Sequence, residues 1–487
     1  MHGSPRSARV RTGRLVAAAT AALVCTAVGS VPAVASAPGS ELWVSRYDGP
    51  SIIYNDDSPA AIEISPDGSA VFVTGSSYGS TEDPGIATVA YDPSTGDELW
   101  AKRYDGARDY AFAYDLGLSP DGSTAFVAGT RIGPVPSFDY ATVAYDAATG
   151  VRLWTKRYDG PGKDFDRAYA LDVDPGGSAV YVTGVSRGST PERRPGGGLG
   201  TRQAQRSHDD AGNDYATIAY DASTGARLWL ARYDGRAHHF DGPSDIEVSP
   251  DGSAVFVTGT SIGTAEDYGT VAYDASTGTR LWARHYDASG NIDVAAALGV
   301  SPDGSVVFVT GGSDGSTSGD DYATVAYDAV TGTRLWVQRY SAGGGDSDSA
   351  SALEVSPDGG AVFVTGFSLG DYATVAYDAS TGARLWVKRY GARWGGSGSA
   401  TDIGVSTDGS EVFVTGVSTG STSSYDYATF AYDASTGATI WASRYNGPGN
   451  DADFPTALGV SPDASAVFVT GASMGSTSDY ATVAYRN

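Results

Sequence analysis

This sequence predicts an all-β fold, an eight-bladed β-propeller with four-stranded blades, and three observations carry the prediction. A unit of the form D-Y-x-T-V-A-Y-D-A-S-T-G-x-R-L-W, followed by V-S-P-D-G-S-x-V-F-V-T-G, recurs along the chain. Its tryptophans fall at Trp43, Trp100, Trp154, Trp229, Trp282, Trp336, Trp386 and Trp441, and its S-P-D-G-like turns begin at Ser65, Ser119, Asp174, Ser249, Ser301, Ser356, Ser406 and Ser461. The third observation is the register of the two ends. Trp43 precedes the first turn, whereas the last copy stops at Ala484-Tyr485-Arg486-Asn487, before a tryptophan is reached. Leu42 to Tyr47 can supply the missing strand, an exchange that a closed ring requires and a linear solenoid does not.

Each copy parses into four strands, A to D. In the fifth, Ala297 to Val300 is A, and Ser301-Pro302-Asp303-Gly304 turns the chain into B, Val306 to Thr310. A Gly/Ser-rich loop then reaches C, Tyr322 to Tyr327, and Asp328 to Gly332 form the turn into D, Leu335 to Tyr340. β-branched and aromatic residues bounded by Gly, Pro, Asp and Ser give the strand signal, and no helical period appears after the first segment. A repeat of roughly 50 to 57 residues, one longer copy aside, fits a propeller blade. The tryptophans suit the wedge between blades, since each ring can bury on the order of 150–250 Å². Completing the last blade with the first strand also hides sheet edges.

Residues 1–35 read as a secretion signal, with Arg6, Arg9, Arg11 and Arg14 ahead of the apolar run Leu15 to Val28 and a cut after Ala33-Val34-Ala35. The propeller is expected over 36–487, with a loop insertion at 185–213. No later stretch is apolar enough for a transmembrane helix, and the expected location is outside the cell or on its surface. Cys25 is the only cysteine, so the region after the signal can form no disulfide or thiolate site. The formal charge of -25 argues against nucleic acid and anionic membranes as partners. Much of that acidity recurs at the turns, where Asp binds nearby backbone N–H groups.

Ala272-Tyr273-Asp274-Ala275-Ser276-Thr277-Gly278-Thr279-Arg280-Leu281-Trp282 resembles the A-x-D-x-x-T-G-x-x-x-W docking pattern of PQQ-type quinoprotein propellers, and the copies ending at Trp100, Trp154, Trp229, Trp336, Trp386 and Trp441 fit it too. The S-P-D-G-S-A-V-F-V-T-G half is similar to bacterial surface propellers of the YVTN type. The resemblance implies the propeller fold. For quinoproteins it also implies PQQ above a calcium ion on the axis, with carboxylate and amide ligands and an acidic base. Those ligands match no motif here, and the vicinal cysteine pair of many such enzymes cannot form. The resemblance therefore carries the scaffold, and PQQ is disfavoured.

G-x-S-x-G, as at Gly259–Gly263 and Gly311–Gly315, recurs after strand B with no helix behind it, which is not a hydrolase elbow. The D-to-A loops carry alternating oxygen donors: Asn55/Asp57, Asp164/Asp166, Asn291/Asp293, Asp346/Asp348 and Asp451/Asp453. Asp164, Asp166, Asp346, Asp348, Asp451 and Asp453 are the candidate metal ligands. Calcium is the ion they suit, and loop capping is the alternative. The insertion carries His208, the next D-to-A loop carries His238, His239 and Asp241, and Arg393-Trp394 lies in a later loop of the same face. These are the candidate ligand-binding residues, since function sits on loops held by a rigid scaffold. The sequence reads as an exported, monomeric, non-catalytic scaffold that binds a protein or glycan through this face. The alternative is a PQQ/calcium oxidoreductase or a glycan-active enzyme there.

Overall fold

The computed structural model describes residues 36–51, 56–79, 83–105, 110–132, 137–163, 165–188, 212–235, 239–263, 265–288, 290–315, 319–343, 347–391, 397–419, 425–475 and 477–487. From Ala37 on they form one compact unit. Eight four-stranded antiparallel sheets account for all its strands. Blades 1 to 7 span 58–104, 111–158, 166–233, 241–286, 293–340, 348–390 and 398–445. Blade 8 joins 453–486 to the N-terminal strand Glu41–Tyr47. The predicted ring is therefore the observed one.

The tryptophans hold neighbouring blades together. Trp229 Nε1 donates to the Ala275 carbonyl at 2.7 Å and Trp282 Nε1 to that of Ala329 at 2.8 Å; Trp43, Trp100, Trp154, Trp336 and Trp386 make the same indole-to-carbonyl bond. These seven indoles each lie on the glycine of the next blade's T-G turn. Gly278 has φ +69°, and a Cβ there would stand 2.6 Å from the Trp229 ring, so both conformation and space demand glycine. Tyrosines of strand C add a second lock, as where Tyr268 Oη donates to the Ala323 carbonyl at 3.2 Å.

At the closure the N-terminal strand pairs with Ser478–Arg486 from Trp43↔Ala484 to Tyr47↔Tyr480. Trp43 docks on blade 1 through the Pro93 carbonyl at 2.8 Å. Trp441, lacking a continuous C-to-D turn to dock on, lies against Gly39 and donates to Asn487 Oδ1 at 2.8 Å. Gly39 N in turn donates to the Arg486 carbonyl at 2.7 Å, so the two ends together rebuild the missing turn.

The turn aspartates act as expected. Asp67 Oδ1 accepts Ser65 Oγ at 2.7 Å and Ser69 N at 3.0 Å, and Asp274 Oδ1 accepts Thr277 N at 2.9 Å. Strands run further than the sequence patterns indicate. In blade 5, A starts at Asp293, and B and C continue as Val306–Gly315 and Gly319–Asp328. The glycines that look like loop residues lie within the ladder because strand A passes so close; a side chain on Gly311 would meet the Val294 carbonyl.

Candidate functional site

Two regions gather chemistry: the axial channel and the rim beneath the D-to-A and B-to-C loops. Strand A of every blade contributes to a central cavity of about 470 Å³, lined mostly by alanine, serine, threonine and leucine. Glu63, Asp115, Asp245, Glu354 and Asp402 are the acidic residues of that lining. Asp172 and Glu247 occupy the same strand position as Glu63 and Glu354, each opposite an aromatic residue of strand B.

Several of these carboxylates fasten adjacent blades. Asp115, Asp245 and Asp402 sit at the bulge of strand A, where the backbone turns two N–H groups toward one side chain. Asp402 accepts the N–H of Ile403 and, from the next blade, that of Leu458, both at 2.8 Å. Asp245 does the same with Ile246 and Leu298, and Asp115 with Leu116 and Leu171. Asp172 reaches Val248 N at 2.7 Å and Glu247 reaches Val300 N at 2.9 Å.

Burial pushes these carboxyls up, and the backbone bonds pull part of the way back. Asp245 and Asp402 rise to about 6, and Asp115 and Asp172 to about 7. Glu63 gains no backbone donor; burial and then repulsion from Asp115, Asp172, Asp402 and Glu354 take it to about 8. Glu354 moves the same way, although its side chain is exposed to the solvent of the channel. The channel lining is thus acidic, with carboxyls held above their ordinary range.

At the rim, strand D ends in Arg-Tyr in seven blades, with Arg46, Arg103, Arg157, Arg232, Arg339, Arg389 and Arg444, and in His285-Tyr286 in blade 4. Arg232 shows the clamp: Nη1 donates to Ser186 Oγ at 2.7 Å, and Nη2 to the Ser186 carbonyl at 2.6 Å and Asp214 Oδ2 at 2.8 Å. Arg339 holds Ser313 and Asp321 likewise, and Arg444 holds Ser418 and Asp426. Gly85 stands where other C strands carry Asp, so Arg103 pairs with Asp105 instead.

The loop aspartates start strand A and are buried. Asp166, Asp241, Asp348 and Asp453 each accept one backbone N–H from the loop before them, from Gly160, Gly235, Ala342 and Gly447 at 2.6–2.9 Å. Asp451 is exposed and His239 half-buried. The structure brings Asp166 together with Asp139 and Asp159, and Asp241 with Asp214 and Asp234, each set able to present oxygens within 4.8 Å of one another. Arg157 pairs with Asp139 and Asp159 in the first set, and Arg232 with Asp214 in the second. Trp394, Arg393, His208, His238, Asp164 and Asp346 lie outside the described residues.

The channel acids escaped the sequence reading although a signal exists. Glu63, Asp172, Glu247 and Glu354 each stand two residues before the A–B turn, as charges in the innermost strand.

The family model described as outer membrane protein assembly factor BamB, of the PQQ_2 repeat type, matches residues 11–196 and 213–387. The chain belongs to this family. No curated protein sequence matches it. Among solved structures, Sqt1 of Chaetomium thermophilum, bound to the N-terminus of ribosomal protein L10, aligns at 13% identity and TM-score 0.59, over 92% of this chain and 100% of its own. The C-terminal WD40 domain of Sif2 aligns at 11% identity and TM-score 0.57, covering 92% and 98%. The quinohemoprotein alcohol dehydrogenase ADHIIG of Pseudomonas putida HK5 aligns at 14% identity and TM-score 0.53, covering 92% and 76%. These likenesses show the fold. The PQQ that the quinoprotein resemblance implies is a tricarboxylate, and among the described residues the channel lining, with five carboxylates and no lysine or arginine, does not fit it.

Proposed function

We propose that the protein is an exported, non-catalytic scaffold that grips a protein partner on the face carrying the D-to-A and B-to-C loops. One observation carries this reading: variation in length is confined to that face. On the opposite face the A–B and C–D turns barely change, as at 249–253 and 301–305, or 275–279 and 329–333. On the loop face the B-to-C connection runs from 369–370 in blade 6 to 188–212 in blade 3. A rim of repeated arginine clamps under loops of unequal length is a rigid frame with a variable surface, the arrangement that recognition uses.

The family description, an outer membrane protein assembly factor, and the peptide-bound Sqt1 propeller support export and a protein partner over a glycan. Removal of 1–35 at the Ala35 cut belongs to the same reading. The absence of cysteine after Cys25 makes the test direct. Photo-crosslinkers on Lys163→Cys and Asp451→Cys, both at loop-face positions, should capture the same envelope or medium protein. Crosslinkers on Val330→Cys and Ser223→Cys, on the opposite turns, should not. Capture from the opposite turns alone would overturn the assignment of the face.

A further inference from the structure

Blade 4 breaks the rim pattern in one residue. Where seven blades end strand D with arginine, it carries His285, whose Nε2 is hydrogen-bonded to Tyr233 Oη at 2.8 Å. The neighbouring Arg284 does not substitute, because its guanidinium reaches the Gly332 and Thr331 carbonyls of the next blade at 2.7 and 2.6 Å. The groups that share a guanidinium elsewhere are thus left to themselves. Ser261 and Asp267 face each other in the B–C register; the Ser261 hydroxyl lies beside Asp241, whose pKa rise it opposes, whereas Asp267 Oδ1 is a buried atom with no hydrogen-bond partner.

Asp267 meets two further carboxylates. Asp287 follows strand D, Asp293 starts strand A of blade 5, and the three can present oxygens within 4.8 Å of one another. Asp293 is 1% exposed, and its carboxylate accepts the Ala288 N–H at 3.0 Å. Its Oδ1 finds no donor of hydrogen-bond geometry, although the Ser313 hydroxyl beside it opposes the pKa rise that burial causes. Arg339 of blade 5 lends Asp293 a favourable field, but its own bonds go to Asp321 and Ser313.

We propose that Asp267, Asp287 and Asp293 form a divalent-cation site, calcium by its hard, all-oxygen donor set, in the one blade whose rim arginine is replaced by histidine. Oxygens about 2.4 Å from a Ca²⁺ ion can lie at most about 4.8 Å apart, and the ion takes 6–8 oxygen ligands, so water completes the shell. In the two equivalent carboxylate groups a guanidinium already supplies the charge: Arg157 beside Asp139, Asp159 and Asp166, and Arg232 beside Asp214, Asp234 and Asp241. Because it joins strand C and the D-to-A loop of blade 4 to strand A of blade 5, the ion would tie two blades together on the loop face. The site depends on the fold and not on the proposed partner.

The test is calcium titration of the chelator-stripped protein, followed by isothermal calorimetry and native mass spectrometry. The wild type should take up one calcium per chain. His285→Arg, which restores the arginine of the other blades, should weaken binding at least tenfold while folding as well as the wild type without calcium. Asp267→Asn should weaken it likewise. Arg232→His should create a second site at Asp214, Asp234 and Asp241. A wild type that binds no calcium, or a His285→Arg protein that binds as the wild type does, overturns the proposal.

Discussion

Ring closure rests on Trp43, so Trp43→Ala should cost as much as removing a tryptophan from the middle of the ring. The side chain is 8% exposed, donates to the Pro93 carbonyl at 2.8 Å and packs beside Tyr91 and Phe468, with ring centroids 6.3 and 5.7 Å away. Truncating a buried tryptophan to alanine costs about 3–5 kcal/mol. The bond to Pro93 is within that sum, and a buried carbonyl left without its donor places the variant in the upper half, about 4 kcal/mol. Trp282→Ala, whose indole is 5% exposed and bonded to Ala329, sets the internal standard and should lose a similar amount. Trp43→Phe keeps most of the apolar contact and should lose about half. Urea unfolding followed by circular dichroism measures all three, with the wild-type slope required before free energies are compared. A loss under about 1 kcal/mol for Trp43→Ala, beside a full loss for Trp282→Ala, would show that the N-terminal strand does not close the ring.

Ala464 stands where the other S-P-D-G-like turns have glycine and has φ 54°, so Ala464→Gly should stabilise. Relief of the left-handed strain, about 1–2 kcal/mol, exceeds the chain entropy of the added glycine, about 0.4–1 kcal/mol. Urea unfolding should show a gain of about 0.5–1 kcal/mol, and a loss would contradict it. Asp402→Ala leaves the Ile403 and Leu458 N–H groups without their carboxylate and should cost about 2 kcal/mol in the same assay. In the channel, carboxyls raised on folding stabilise below their unfolded pKa and lose that contribution as pH rises through the folded value. For Glu63 the window runs from the ordinary carboxyl value of 4.5 to about 8. Glu63→Gln should therefore raise the melting temperature at pH 8 and leave it nearly unchanged at pH 4. The opposite ranking would show that burial and the neighbouring acids do not disfavour the Glu63 carboxylate.

The periodic features were legible from sequence because a propeller repeats its interactions with its residues. One tryptophan, one T-G turn and one S-P-D-G-like turn per blade gave the blade count, and the offset between Trp43 and Tyr485 gave the closure. Strand ends were less legible: the glycines at 311 and 312 read as loop, yet they continue the ladder because the neighbouring strand lies too near for a side chain. The D-to-A aspartates announced themselves as oxygen donors, but which carboxylates converge depends on contacts across blade junctions. Asp267, Asp287 and Asp293 come from three elements of two blades, and no local spacing relates them. The exchange of Arg for His285 was visible in the repeat. Its consequence, a serine and an aspartate left without their guanidinium, needs the register between strands B and C.

Hydrogen exchange of the protein, free and with its captured partner, tests the scaffold reading most directly. The account predicts new protection in the D-to-A and B-to-C connections, among them 159–165, 188–212 and 446–452, with the S-P-D-G-like and T-G turns unchanged. Protection centred on 249–253, 301–305 and the corresponding turns of other blades would place recognition on the opposite face and contradict it.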